Sequence, residues 1–143
     1  MILYFDTSAL VKKYVKEQGT KEVVALFRKA EAIAISKVGY AEILAAFYRK
    51  HREDHITSKL LRKMVDSFKN DWNSFISVNI TTVLNNKVED FVSRYGLRGF
   101  DAIHLGAASI LRDQLQEELL FVCADKKLFS AATSDGFRTL LPE

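Results

Sequence analysis

Several features are scarce in this 143-residue chain, and each scarcity excludes a class of protein. A single cysteine rules out an intrachain disulfide and a cysteine-based zinc cage. One proline and six glycines exclude collagen-like and low-complexity disordered chains. No apolar run approaches the roughly 18 residues that span a bilayer. We therefore predict a globular protein without a membrane-bound part.

The amino-terminal segment also lacks the features of an export signal. It reads MILYFDTSAL, with an acid at position 6 and no basic leader followed by an apolar stretch and a cleavage site. We therefore expect no secretory signal and a cytoplasmic protein. The net charge is only +3, from 21 Lys and Arg against 18 Asp and Glu, so it is weak support for an anionic partner.

What the chain does contain is a regular alternation of short apolar runs and helical patterns, over a length that suits one domain, residues 1–143. This alternation predicts an α/β fold with a largely parallel sheet. The predicted strands are Ile2–Phe5, Ala32–Ile35, Ile76–Ile80, Leu119–Cys123 and Phe137–Leu141. The predicted helices are Ser8–Lys16, Thr20–Lys29, Val38–Arg52, a helix from a Thr57 or Ser58 cap to Trp72, Thr81–Tyr95, Phe100–Leu115 and Lys126–Ala132. Thr7 or Ser8 is the predicted cap of the first.

Two acids follow predicted strands. Asp6 comes directly after the first strand, and Asp125 follows the fourth with only Ala124 between. If these strands are parallel, both acids leave the sheet at the same edge. Binding sites of open parallel sheets form at this carboxyl edge.

Two further acids lie in helices whose apolar residues point nearly all round the axis, a pattern that predicts buried helices. Glu42 lies within about 60° of both Val38 and Ala45, at about 100° per residue. Asp101 opens the apolar helix that begins at Phe100. An unpaired buried carboxylate costs several kcal/mol, so each of these acids needs a partner.

The simplest solution is that the four acids converge on one divalent cation. Carboxylates in one pocket repel each other unless such an ion neutralises them. Oxygen ligands select a hard ion, Mg²⁺ or Mn²⁺, and such an ion can supply a bound water as the nucleophile for phosphodiester hydrolysis. Separate structural roles are the alternative. Asp6 and Asp125 would be helix caps, Asp101 a first-turn acid, and Glu42 the partner of Arg98 in a buried ion pair.

The same residues resemble a known family. The motifs are Asp6-Thr7-Ser8 after the first strand, Glu42 in a long helix, Arg98-Gly99-Phe100-Asp101-Ala102-Ile103-His104-Leu105, and Ala124-Asp125-Lys126-Lys127-Leu128-Phe129. Over Ile2 to Pro142 the chain resembles the PIN-domain nucleases, and most of all the VapC-type toxins of toxin–antitoxin pairs.

The resemblance implies a three-layer α/β/α sandwich with an acidic pocket for Mg²⁺ or Mn²⁺. It implies endoribonuclease activity, often on tRNA or rRNA, a homodimer, and a cognate antitoxin that blocks the pocket. The metal-site and catalytic acids carried over are Asp6, Glu42, Asp101 and Asp125, with Thr7 or Ser8 supporting the first by a hydrogen bond.

Two positions depart from the family pattern. Cys123 stands where members often carry Thr or Ser, and Lys127 stands where many have a further acid. A site of four acids rather than five favours one bound ion over two.

Basic residues near these acids are the candidates for contact with RNA phosphates, because Lys and Arg supply the sequence-independent part of nucleic-acid affinity. The candidates are Lys12, Lys13, Arg98, Lys126 and Lys127. The charged run from Tyr48 to His55 is interpreted as a solvated helix end, with phosphate contact as its alternative. His104 is interpreted as a core histidine with internally satisfied nitrogens, rather than a base or ligand.

Three functions remain open from the residues. A metal-dependent endoribonuclease fits all four acids. A non-catalytic PIN-like module that binds RNA or protein is the alternative that Cys123 and Lys127 keep open. A phosphohydrolase with a nucleophilic aspartate is disfavoured, because it needs an acid where Ser8 stands.

Overall fold

A parallel sheet of five strands forms the middle layer of the molecule, in a computed structural model that describes residues 1–143. The strands are β1 (Ile2–Phe5), β2 (Ala32–Ser36), β3 (Ile76–Val78), β4 (Leu119–Val122) and β5 (Arg138–Leu140). They lie in the order β3-β2-β1-β4-β5, and every neighbouring pair is parallel. The predicted α/β fold with a parallel sheet is therefore confirmed.

Seven helices cover the two faces of the sheet. They are α1 (Thr7–Tyr14), α2 (Thr20–Lys29), α3 (Val38–Glu53), α4 (Ser58–Trp72), α5 (Thr82–Tyr95), α6 (Gly99–Gln114) and α7 (Lys126–Ser134). None of them is long and apolar enough to cross a membrane. The first four pack on one face and the last three on the other, which gives the expected three layers.

The strand sequences explain this arrangement. Successive side chains of a strand point to opposite faces, so a strand covered on both faces reads as a continuous apolar run. In β1, Leu3 and Phe5 join the core under α1–α4, whereas Ile2 and Tyr4 join the core under α5–α7. All four are buried.

Element boundaries differ from prediction where tertiary contacts set them. The third strand ends at Val78 rather than Ile80, because β3 is an edge strand that pairs only with β2, and β2 ends opposite Val78 at Ser36. The first helix is capped by Asp6, which accepts a hydrogen bond from the backbone N–H of Ala9, so the predicted Thr7 or Ser8 cap is wrong. Helix α4 is capped by Thr57, as predicted.

The two apolar helices behave differently. Helix α6 is buried along most of its length, as predicted. Helix α3 is not: only Gly39, Ile43 and Phe47 are buried, and Ala41 and Ala45 are exposed. Alanine is a strong helix former of small area, so it is found on both faces of a helix and indicates burial poorly.

Candidate active site

The carboxyl edge of the sheet brings the first and last acids together. Strands β1 and β4 are neighbours with Phe5 paired to Val122, so Asp6 and Asp125 follow adjacent strand ends. Ser8 links the two strand ends, because its Oγ accepts a hydrogen bond from the N–H of Ala124, the residue before Asp125, at 3.0 Å. The same hydroxyl donates to the Asp6 carboxylate, at 2.8 and 2.7 Å from its two oxygens. Ser8 thus makes the supporting bond that the resemblance implies.

Asp6 is the most deeply placed of the four acids, with 3% of its surface exposed. Its Oδ1 also caps α1 by accepting from the N–H of Ala9 at 3.1 Å. Burial raises the pKa of Asp6 above its ordinary value, since a charged carboxylate is poorly solvated there. The residue is therefore both a helix cap and a destabilised negative charge at the sheet edge.

Glu42 is held from two sides by hydrogen bonds to one oxygen. Its Oε1 lies 2.7 Å from the Thr7 hydroxyl, which donates to it, and 2.7 Å from Nε2 of His104. Burial alone would raise the pKa of Glu42, but the hydrogen bond and electrostatic attraction of His104, together with the smaller effect of the Thr7 bond, outweigh burial and lower it. Thr7 thus supports the second acid rather than the first, and the ion pair between Glu42 and Arg98 does not form.

Asp101 lies in the first turn of α6, and its carboxylate accepts no hydrogen bond from protein groups. Burial raises its pKa most, and the negative charge of Asp125 raises it further, followed by that of Glu42. This mutual repulsion shows that acids far apart in sequence act on one another in space.

Asp125 is exposed and caps α7, accepting a hydrogen bond from the N–H of Leu128 at 2.9 Å. The structural role that the sequence offered as an alternative is therefore real. It coexists with the charge that Asp125 exerts on Asp101.

Two cavities open onto these acids. The Asp6 cavity, of about 480 Å³, is lined by Asp6, Thr7, Ser8, Val11, Glu42, Ala46, Arg49, Lys50, Glu53, Asp54, Arg98, Asp101 and His104. The Asp125 cavity, of about 490 Å³, is lined by Glu42, Arg98, Gly99, Phe100, Asp101, Ile103 and Asp125. Glu42, Arg98 and Asp101 line both, so the cavities adjoin, and each of the four acids lines at least one of them.

No lysine or arginine forms an ion pair with any of the four acids. Arg98 is the predicted RNA-binding residue that the structure does bring to the site, since it lines both cavities. Its positive charge lowers the pKa of Asp101, but less than the other groups raise it.

The other predicted RNA contacts do not line either cavity. Lys12 pairs with Glu17 at 3.2 Å, and Lys13 pairs with Asp71 of α4. Lys126 and Lys127 are exposed beside Asp125, and Lys127 lies in a separate depression near the end of α5.

The rim also includes Arg49, which belongs to the charged run for which phosphate contact is the alternative interpretation, and Phe100, which the sequence did not single out. Arg49 lines the Asp6 cavity from α3. It lies seven residues, nearly two full turns, after Glu42, and this spacing would have placed both on one helix face. Phe100 lines the Asp125 cavity with 59% of its surface exposed, and no sequence signal distinguishes it from the buried aromatics.

The chemistry of this donor set fits a hard divalent ion. It consists of carboxylate oxygens without a cationic partner, and two of the acids have pKa values raised by burial. As the side chains stand, no three of them are arranged to ligate one ion directly. Mg²⁺ keeps several waters and binds through one or two carboxylates, so the donor set suits that mode.

Comparisons with known proteins agree with this geometry. The profile of the PIN domain family matches residues 3–133. The chain belongs to the PIN domain family. It is 28% identical over 137 residues to the ribonucleases VapC45 and VapC49 of two Mycobacterium tuberculosis strains, covering 96% of this chain and 93% of each relative.

Solved structures share the PIN fold over the whole chain. A toxin–antitoxin complex from Klebsiella pneumoniae has a TM-score of 0.69 at 20% identity, covering 99% of this chain and 98% of that one. VapBC2 from Rickettsia felis, bound to a DNA fragment from its promoter, has a TM-score of 0.66 at 13% identity over the full length of both chains.

Proposed function

We propose that this PIN-domain protein is a metal-dependent endoribonuclease and the toxin of a toxin–antitoxin pair. The observation that carries the proposal is the set of four carboxylates that line two adjoining cavities, none of them neutralised by lysine or arginine. The similarity to the VapC ribonucleases over 96% of the chain supports the choice of RNA as substrate.

One or two of the acids Asp6, Glu42, Asp101 and Asp125 would hold the ion, Mg²⁺ or Mn²⁺, directly, and the others would contact it through its bound waters. When bound, such an ion supplies an activated water and stabilises the negative charge that develops during phosphodiester hydrolysis. The protein's own contribution is to fix the acids. Ser8 and the N-terminus of α1 hold Asp6, while Thr7 and His104 hold Glu42.

The rim suits a polymer rather than a small phosphate ester. Arg98 and Arg49 line the cavities and offer cationic contacts for backbone phosphates. The exposed ring of Phe100 lies beside Asp101, and unpaired RNA bases stack on such rings. An unpaired stretch of tRNA or rRNA is the expected target.

The partners follow from the same assignment. A cognate antitoxin is the proposed protein partner, since the solved structures that share this fold include toxin–antitoxin complexes. A homodimer and a cytoplasmic location remain predictions from the family resemblance.

The test is a cleavage assay with a matched variant. Purified protein is incubated with end-labelled RNA and Mg²⁺ or Mn²⁺, with EDTA as the metal-free control and Asp101→Asn as the inactive variant. We expect cleavage by the wild-type protein only, and only with metal. Equal cleavage by both proteins indicates a contaminating nuclease. RNA binding without cleavage favours the non-catalytic module, and Asp6-dependent release of phosphate from phosphomonoesters favours the phosphohydrolase.

A further inference from the structure

A buried chain of hydrogen bonds runs from the end of β2 through the core to Glu42. The backbone N–H of Ser36 donates to the Tyr4 hydroxyl at 3.0 Å, and that hydroxyl lies 2.9 Å from Nδ1 of His104. Nε2 of His104 lies 2.7 Å from Oε1 of Glu42. Tyr4 is 0% and His104 1% exposed, so water does not compete for these bonds.

The fixed donor at one end sets the direction of the whole chain. A backbone N–H only donates, so the Tyr4 oxygen accepts from Ser36. The Tyr4 proton then has one acceptor within reach, Nδ1 of His104. With Nδ1 accepting, the imidazole proton is on Nε2, where it is donated to Glu42.

The consequence lies at the carboxylate. Oε1 of Glu42 receives the bond from His104 and a second bond from Thr7, whereas Oε2 receives none. The side chain is thereby fixed with one oxygen tied to the protein and the other left for a ligand in the cavity.

We propose that Tyr4 and His104 are positioning residues, which set the tautomer of the imidazole so that Glu42 presents a free Oε2 to a divalent cation. The inference rests on the proposed function, because the position of this oxygen matters only if a cation binds there. Partners of this kind orient the primary ligands of a metal site, and losing one typically costs about 10–100-fold in metal affinity.

Packing alone does not explain the Tyr4 hydroxyl. The ring stacks on Phe121 with centroids 5.4 Å apart and planes at 6°. A phenylalanine would keep that contact, but it would leave the Ser36 N–H and Nδ1 of His104 without partners in a closed core.

The test compares Tyr4→Phe with Tyr14→Phe. Tyr14 is a suitable control because its partly buried hydroxyl also donates to a carboxylate, Asp71, and lines neither cavity. Two readouts are needed: the ring-nitrogen shifts of His104 by ¹⁵N NMR in metal-free protein, and Mn²⁺ affinity by titration calorimetry. We expect Nε2 protonation in the wild type, loss of the single tautomer in Tyr4→Phe with about 10–100-fold weaker Mn²⁺ binding, and no change in Tyr14→Phe.

A second pair of variants covers the case in which Tyr4→Phe does not fold. His104→Gln places an amide donor near the position of Nε2, whereas His104→Leu removes every donor. We expect the glutamine to retain more Mn²⁺ affinity than the leucine at equal thermal stability.

The outcomes separate this proposal from the proposed function. A wild type that binds no Mn²⁺ overturns both. A wild type that binds Mn²⁺ overturns the positioning role alone if Nδ1 carries the proton, if Tyr4→Phe binds Mn²⁺ equally well, or if His104→Gln and His104→Leu lose affinity to the same extent.

Discussion

At the scale of single residues, the acids of the site differ in how their surroundings stabilise or destabilise the negative charge of the carboxylate. The interactions with His104 and Thr7 lower the pKa of Glu42, whereas burial and the charges of neighbouring acids raise that of Asp101, whose carboxylate accepts no hydrogen bond from protein groups. A raised pKa in the folded state lowers stability as pH rises from the ordinary carboxyl pKa through the raised one. At neutral pH, Asp101 therefore destabilises the metal-free protein.

Asp101→Asn should relieve this cost. We expect the variant to be more stable than the wild type in EDTA at neutral pH, by up to about 1 kcal/mol because the group is partly solvated. The gain should disappear below the ordinary carboxyl pKa, where both proteins are uncharged at this position. The variant should also lose the rise in melting temperature that Mn²⁺ gives the wild type. Thermal unfolding across pH, with EDTA or Mn²⁺, measures both effects.

Asp66→Asn is the control for this prediction. Asp66 is an exposed acid of α4 that pairs with Arg62 at 3.6 Å and lines neither cavity. Its Mn²⁺ response should equal that of the wild type. A wild-type response in Asp101→Asn would instead remove this acid from the metal site.

At the scale of elements, Asp125 combines two roles that different substitutions separate. It caps α7 through the N–H of Leu128, and asparagine caps as well as aspartate does. Asp125→Asn should therefore keep the stability of the fold and lose metal-dependent cleavage. Asp125→Ala should lose cleavage and also about 0.5–2 kcal/mol of unfolding free energy. Denaturant unfolding and the RNA assay check the two, and full activity of Asp125→Asn would leave the residue with its capping role only.

The elements themselves were predicted well, because their signals are local. Short apolar runs predicted the strands, and capping residues and glycines predicted most of the helix boundaries. The errors come from tertiary context: β3 stops where β2 stops, and the alanines of α3 are exposed. The four acids could be identified from the sequence because they follow strands or lie in apolar helices, but the partners of Glu42 could not be predicted. Thr7 is 35 positions from Glu42 in the sequence and His104 is 62 positions from it, so no local pattern reveals these bonds.

At the scale of the whole molecule, the net charge of only +3 does not show how the acidic and basic residues are arranged in space. An acidic centre at the sheet edge is bordered by Arg98 and Arg49, while bases elsewhere, such as Lys13, are neutralised by their own acids. A polyanion is attracted by the rim, and a cation by the centre. Affinity for RNA should therefore depend on few basic residues, and the salt dependence of binding counts them.

Replacing Arg49 tests this distribution. Each phosphate contact contributes about 0.7 to the slope of log affinity against log salt concentration for a single strand. In an Asp101→Asn background with EDTA, where no RNA is cut, Arg49→Gln should reduce the slope by about that amount. Arg62→Gln, which removes an exposed arginine outside both cavities, should leave it unchanged. Fluorescence anisotropy at several salt concentrations measures the slopes. Equal losses from both arginines would mean that RNA binds through charge spread over the surface, and the Asp6 cavity would then not be its path to the acids.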